Sequence, residues 1–411
     1  MDAPDAVELR DYREGDLPAV TRMWREVGWI DDSDREAEAL RTFLGYGAAR
    51  VGTIHGEAEC LVHRTPGTIR YDQHDLALCA VTAVTTSAVA RGLGLASQLA
   101  GEAVAAGALD GAAVAALGMF EQGFYDRFGF GSLGYEIEMS FDPAKLRLGA
   151  PARRPVRVER TDWQEVAQLM GRRARGHGGV SLDPPAAMRA ELGWVDDPYL
   201  GLGVRGRDGR LTGCLIGTNV GEHGPLKVQV VGYETHDDLR DLLAILRSLR
   251  AQIHEVLLVE PAAIQLQDLL EEPIRGHELL DPDRRPRHSA MAWCQLRILD
   301  LERCAAARTW PGPEVAFDLD LRDPVGGPGV AWPGLSGPWS ITVGAPSSAS
   351  RGHRGGLPVV RASVGALSRL WFGVRPATGL AVTDDLVGPP ELLAALDEAL
   401  RLPPPRPGLS F

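Results

Sequence analysis

The sequence predicts a mixed α+β fold, and three observations predict it. Residues 76–117 read as a buried strand, a glycine-bearing turn, a helix and a second short strand. After a Pro/Arg linker the same order of strand, helix, strands, helix and strand partly repeats. A third region then returns to strands followed by helices. A chain of 411 residues has room for two or three such domains.

Taken in order, Val7 to Asp11 reads as a first strand. Leu17 to Val27 reads as a helix, with Leu17, Val20, Met23 and Trp24 at helical spacing and Asp16 as its N-cap. The next loop, Gly28-Trp29-Ile30-Asp31-Asp32-Ser33-Asp34, is acidic and carries an indole. It suits an amine, through charge pairing and cation–π contact. Alternatively, Asp31, Asp32 and Asp34 cap a helix that starts near Arg35. Ala48 to Gly52 and Glu57 to His63 give two more strands, and the segment 76–117 follows. Tyr135 to Phe141 alternates and reads as the strand that closes the first domain, residues 1–150.

The linker Ala150-Pro151-Ala152-Arg153-Arg154-Pro155 opens a second domain, 151–288. Val156 to Val158 and the helix to Met170 echo Val7 to Met23. Tyr199 to Val204, Leu211 to Thr218 and Val228 to Thr235 read as strands, Leu239 to Arg250 as a helix, and Glu255 to Val259 as the next strand. The third domain, 289–411, begins at Met291 to Asp300. It continues with strands Val315 to Leu321 and Trp339 to Val343 and helices Val364 to Phe372 and Glu391 to Leu402. It ends in a proline-rich arm, Pro403 to Phe411, which as PPII would be stiff and extended.

Composition narrows the function. With 45% hydrophobic and 24% charged residues the chain is ordinary globular protein, and no apolar run reaches the length of a membrane span. The N-terminus lacks a positive n-region and an apolar h-region, so a cytoplasmic location is expected. Five scattered cysteines without a C-x-x-C pair argue against a disulfide framework or a zinc site. Ten histidines show no H-E-x-x-H spacing, so no metal is expected. A net charge of −12 opposes nucleic-acid binding and is compatible with a cationic substrate.

The turn Arg91-Gly92-Leu93-Gly94-Leu95-Ala96-Ser97 carries the chemistry. A strand, glycines and a helix start together make an anion site, because first-turn N–H groups lack intrahelical partners and the helix dipole adds positive charge. A dinucleotide fold would need a third glycine where Ser97 stands, and a P-loop needs Gly-Lys-Ser/Thr. In the second domain the corresponding turn, His236-Asp237-Asp238, has no glycine, and its carboxylates would repel a diphosphate.

R-G-x-G-x-A followed by Gly123-Phe124-Tyr125-Asp126-Arg127-Phe128-Gly129-Phe130-Gly131 resembles the GNAT N-acyltransferases. The stretches Ala83-Val84-Thr85-Thr86-Ser87 and Glu121 to Gly131 look like the Eis (enhanced intracellular survival) branch. The resemblance implies two tandem GNAT folds, the second degenerate, followed by a sterol-carrier-like domain. It implies a homo-oligomer, a trimer-based hexamer, and acetyl-CoA or another acyl-CoA as donor. The donor site would comprise Val84, Thr85, Thr86, Arg91, Gly92, Leu93, Gly94, Leu95, Ala96, Ser97, Phe120 and Glu121. The amine would meet Trp24, Trp29, Asp31, Asp32 and Thr82. Tyr125 would protonate the leaving thiolate, its phenol having a reference pKa near ~10. The carboxylate of Phe411 would return to the active site as base. One departure is notable: the R-R-R-G of Eis proteins is reduced to Arg91-Gly92, which shifts the diphosphate contact onto backbone N–H groups and leaves the acyl chain open.

The activity this implies is acylation of a primary amine on a polar cationic small molecule, aminoglycoside-like or lysine-type, in resistance or in natural-product biosynthesis. The alternative is a lipid-carrying protein with an inert GNAT module. Retention of Gly92, Gly94 and Tyr125 together speaks against inertness.

Overall fold

The computed structural model describes residues 7–271, 287–326 and 331–408. Among the described residues there are three sheets, of eight, seven and five strands. In the first, β1 (Val7–Asp11) pairs with β2 (Ala48–Ile54), and between them in the chain lie α1 (Leu17–Glu26) and α2 (Asp34–Leu44). α1 buries Ala19, Val20, Met23 and Trp24 on one stripe. Ser33, rather than any of the neighbouring aspartates, caps α2: its Oγ accepts the Glu36 N–H at 3.2 Å. β3 (Glu57–Tyr71) and β4 (His74–Thr86) form a long hairpin. From β4 the chain crosses through α3 (Leu95–Leu109) to the parallel strand β5 (Val114–Gly118). Leu95, Leu99, Val104 and Gly107 bury α3 on the sheet.

The chain continues through β6 (Gly131–Ser132) and β7 (Glu136–Phe141) into the second unit. This unit comprises β8 (Val156–Arg157), α4 (Trp163–Arg172), β9 (Val180–Leu182), α5 (Ala186–Trp194), β10 (Tyr199–Arg205), β11 (Leu211–Asn219), β12 (Leu226–Tyr233), α6 (His236–Ser248) and β13 (Val256–Val259). Then come β14 (Arg287–Met291), β15 (Cys294–Ile298) and α7 (Leu301–Ala306). The third sheet follows with β16 (Val315–Arg322), β17 (Gly337–Val343), β18 (Ser348–Arg351), β19 (Val359–Ser363) and β20 (Leu386–Val387), with α8 (Val364–Trp371), α9 (Ala377–Thr383) and α10 (Pro390–Ala399) against it.

The strand order is not segmental. β7, which reads as the closing strand of the first sheet, lies in the second sheet between β13 and β14. Its place in the first sheet, beside β5, is taken by β15. Alternation shows that a strand has one buried face but does not name the sheet that buries it. β9 also crosses over: Val180–Leu182 pair with Ile69–Gly67 of β3, so the second unit extends the first sheet. The third region is tied in by a fully buried ion pair, Arg297 Nη2 to Asp323 Oδ2 at 2.7 Å.

Candidate active site

The site begins at a defect in β4. Ala83 adopts φ 53°, and the β3–β4 register shifts between Leu61 and His63, which is a β-bulge. On the other edge, β4 pairs with β5 only from Leu78↔Val114 to Ala80↔Ala116. Beyond Ala80 the two strands part, so the backbone of β4 from Ala83 to Thr86 presents an edge with no strand beside it on that side. Two cavities meet at this opening.

The donor-side cleft has a volume of about 660 Å³. Val84, Thr85, Thr86, Arg91, Gly92, Gly94, Leu95, Ala96, Ser97, Phe120 and Glu121 line it, together with Phe124 and Arg127. Thus every residue expected to hold the donor lies there except Leu93, which is exposed and not part of the lining. Gly92 and Gly94 have φ of 84° and 78°, and an added Cβ would meet nothing within 4 Å at either. Glycine is needed there for backbone conformation, not for space. Gly94 is the N-cap of α3, no side chain caps that helix, and the N–H groups of Leu95, Ala96 and Ser97 face the cleft without intrahelical partners. Arg91 makes no ion pair among the described residues. Arg127, stacked 4.8 Å over the Phe124 ring, brings a second cation to the lining.

The acceptor-side cavity measures about 430 Å³ and shares Trp29, Val84 and Phe120 with the cleft. Trp24, Trp29, Thr82 and Tyr125 are among the residues that line it. Tyr125 is 2% exposed, lies between the rings of Phe124 (4.9 Å) and Phe120 (5.8 Å), and its hydroxyl has no hydrogen-bond partner among the described residues. Burial pushes its phenol above the usual value, so it stays protonated at neutral pH. Its turn is held from the inserted strand β15: Gln295 Nε2 donates to Asp126 Oδ1 at 2.7 Å, and Arg297 Nη1 donates to the Phe128 carbonyl.

Asp31 and Asp32 do not reach the cavity. Asp32 is exposed and pairs with Arg25, and the Asp31 N–H donates to Glu36. The cavity draws its acids from the second unit instead, from Asp183 and Glu191. α5 presents Ala187, Met188, Glu191 and Trp194, a spacing that puts all four on one helix face. Glu191 shares this lining with Trp24, Phe43, Tyr46 and Trp194, whose Trp24–Trp194 and Phe43–Trp194 centroids are 5.8 and 5.4 Å apart. The Glu191 carboxylate has no partner among the described residues, and burial pushes its carboxyl up to about 7.

The C-terminal arm enters between the first two units. Arg406 N–H donates to the His177 carbonyl at 2.9 Å, Val180 N–H to the Pro407 carbonyl at 3.0 Å, and Gly408 N–H to Glu136 Oε1 at 3.3 Å. Phe411, the expected terminal base, lies outside the described residues.

A strand bulge, a splayed parallel pair, an uncapped glycine-started helix and a buried tyrosine define an acyl-transfer fold of the GNAT type. Residues 8–133, within the first unit, match the acetyltransferase (GNAT) domain family. Over its whole length the chain is similar in fold to three solved structures. One is Eis1 from Mycobacterium abscessus, 18% identical with a TM-score of 0.74, the match covering 99% of this chain and 100% of that one. The second is a probable N-acyltransferase from Enterococcus faecalis, 16% identical with a TM-score of 0.79, covering 97% and 98%. The third is a GCN5-related N-acetyltransferase from Kribbella flavida, 21% identical with a TM-score of 0.76, covering 99% of each. At these identities the likeness is one of fold, and it extends through all three sheets. No curated protein matches the sequence.

Proposed function

We propose that the protein transfers an acyl group from an acyl-coenzyme A, acetyl-CoA in the simplest case, to a primary amine. The observation that carries this reading is the junction of the two cavities at Val84, Phe120 and Trp29, with Tyr125 on its wall. The diphosphate would sit on the N–H groups of Leu95 to Ser97 with Arg91 and Arg127 nearby, and the pantetheine arm along the free edge of β4. A diphosphate suits this lining because the uncapped N–H groups and two cations need an anion.

The amine must be neutral to attack. Its nitrogen bonds to the thioester carbon as the C–S bond breaks. A backbone N–H of the Val84–Thr86 edge steadies the carbonyl oxygen while charge builds on it. Tyr125 gives its phenolic proton to the departing sulfur, and the proton lost by the nitrogen passes to a carboxylate or water and then to solvent. The implied hexamer and a cytoplasmic location go with this reading. Among the described residues, no helix is long and apolar enough to cross a membrane. A thiol-release assay over a panel of acyl-CoAs and amines tests the proposal. Thiol release dependent on both partners is expected, and its absence with every pair would refute it.

A further inference from the structure

Resting on the acyl-transfer reading, we infer that the acceptor is a monoamine on an aromatic or apolar body, an arylalkylamine in the simplest form, and that Glu191 holds its single ammonium. The charge of the cavity argues for this. Its charged lining side chains are Arg173, Asp183 and Glu191. Arg173 is buried and already donates to the carbonyls of Met170 and Val180. Asp183 is exposed to solvent. That leaves Glu191, half-buried and without a partner among the described residues, as the one carboxylate of the lining drawn in from solvent. A compound with three or four ammonium groups would leave most of them unmatched against rings and methyl groups, where an uncompensated charge is strongly disfavoured.

The walls argue the same way. Trp24, Phe43 and Trp194 stand within 6 Å of one another, centroid to centroid, in the same lining as Glu191. Rings around a carboxylate favour an ammonium twice, by ion pairing and by cation–π contact. Further along, Met170, Met188 and Leu182 offer apolar surface to the rest of the molecule. A single nitrogen bound at Glu191 is also the nitrogen acylated. The carboxylate takes the ammonium proton and frees the lone pair, and the neutral amine then bonds to the thioester carbon as the C–S bond breaks and the departing sulfur takes the Tyr125 proton.

The test uses the full-length protein with 2-phenylethylamine, spermidine and kanamycin as probes. Intrinsic tryptophan fluorescence reports binding without acyl-CoA, since Trp24, Trp29 and Trp194 line the cavity. Thiol release from acetyl-CoA reports turnover. Phenylethylamine is expected to change the fluorescence saturably and to have the highest kcat/KM of the three. Glu191→Gln should weaken its binding by about 10- to 100-fold, the scale of one charge-assisted contact. Glu191→Asp, which keeps the charge, should recover part of the loss. Acetyl-CoA affinity should hold in both variants. A higher kcat/KM for spermidine or kanamycin, or unchanged phenylethylamine binding in Glu191→Gln, would overturn the inference while leaving acyl transfer intact. If no probe releases thiol, acyl transfer to these amines fails, and the fluorescence titration still decides for or against Glu191.

Discussion

The two tandem units share a frame and differ where a helix begins. In each, a parallel pair of strands stays together for a few residues and then parts: β4 and β5 after Ala80↔Ala116, β12 and β13 after Lys227↔Leu257. In each, a helix starts from the first strand of the pair. In the first unit that start is Gly94, and the third helical position is Ser97. In the second it is Thr235, and the third position is Asp238. Thr235 Oγ1 and the Asp238 carboxylate cap one another, and Asp238 also accepts from Arg153 and Thr212 at 2.7 Å each. The second helix has its anion built in, and the first has none. The openings differ too. The first leads to two joined cavities, whereas the second is a pocket of about 210 Å³ walled by Arg406, Pro407 and Gly408 of the C-terminal arm. One unit is left with an unmet need for an anion and the other has met it internally. The second unit still contributes to the site, through β9 and the Glu191 face of α5.

Changes that break this contrast are expected to act in a definite order. The largest effect falls on the chemistry. Tyr125→Phe removes the proton donor while keeping the ring, and kcat should drop by about 10²-fold or more with acyl-CoA affinity unchanged. Steady-state thiol release and a donor titration together check this. Giving the first helix the second's device comes next. Ser97→Asp places a carboxylate among the N–H groups of Leu95 to Ser97, and donor Kd should rise by roughly 10- to 100-fold with folding retained.

The converse change acts on stability. Asp238→Ala removes the acceptor shared by Thr212, Thr235 and Arg153, leaving Arg153 its second pair to Asp241, and should cost about 1–3 kcal/mol in denaturant unfolding, with donor affinity untouched. Against the burial that opposes it, hydrogen bonds from Thr235, Thr212 and Arg153 hold the Asp238 carboxyl below the usual range. Its contribution is therefore present above the unfolded-state pKa and fades as pH falls through the native one.

The smallest expected effect has the opposite sign. The Glu191 carboxyl is raised from 4.5 to about 7, so the folded state prefers it protonated. Stability is lost as pH rises from the lower value through the upper, and Glu191→Gln should restore on the order of 1–2 kcal/mol at pH 8 and nothing at pH 4. The charged groups packed near it are otherwise engaged. Arg189 pairs with Glu38, while Arg35 and Arg160 bond the carbonyls of Gly193, Leu192 and Val195. Thermal melts at the two pH values read this directly.

Much of the donor side is legible in the sequence because it is local. Strand, Gly92, Gly94 and helix follow one another within a dozen residues, and Phe124-Tyr125 follows once α3 and β5 have been traversed. Leu93 is the exception, since a turn motif does not show which side chain faces outward. The acceptor side is built across distance. Asp31 and Asp32 sit in a loop beside Trp29 and look like the acids of an amine site, yet the loop turns them to solvent. The acid that faces the cavity comes from a helix about 160 residues later, behind Pro184-Pro185. There a charged residue at helical spacing with Met188 and Trp194 reads as surface until α5 is seen packed on α2. The exchange of β7 and β15 is hidden for the same reason, because period-2 alternation carries no address.

The contrast between the two helix starts predicts that only the first unit retains a donor site. Calorimetric titration of the full-length protein with acetyl-CoA tests it most directly. One molecule bound per chain, with binding weakened in Ser97→Asp and unaltered in Asp238→Ala, is the expected result. Two molecules per chain, or undiminished binding in Ser97→Asp, would contradict it.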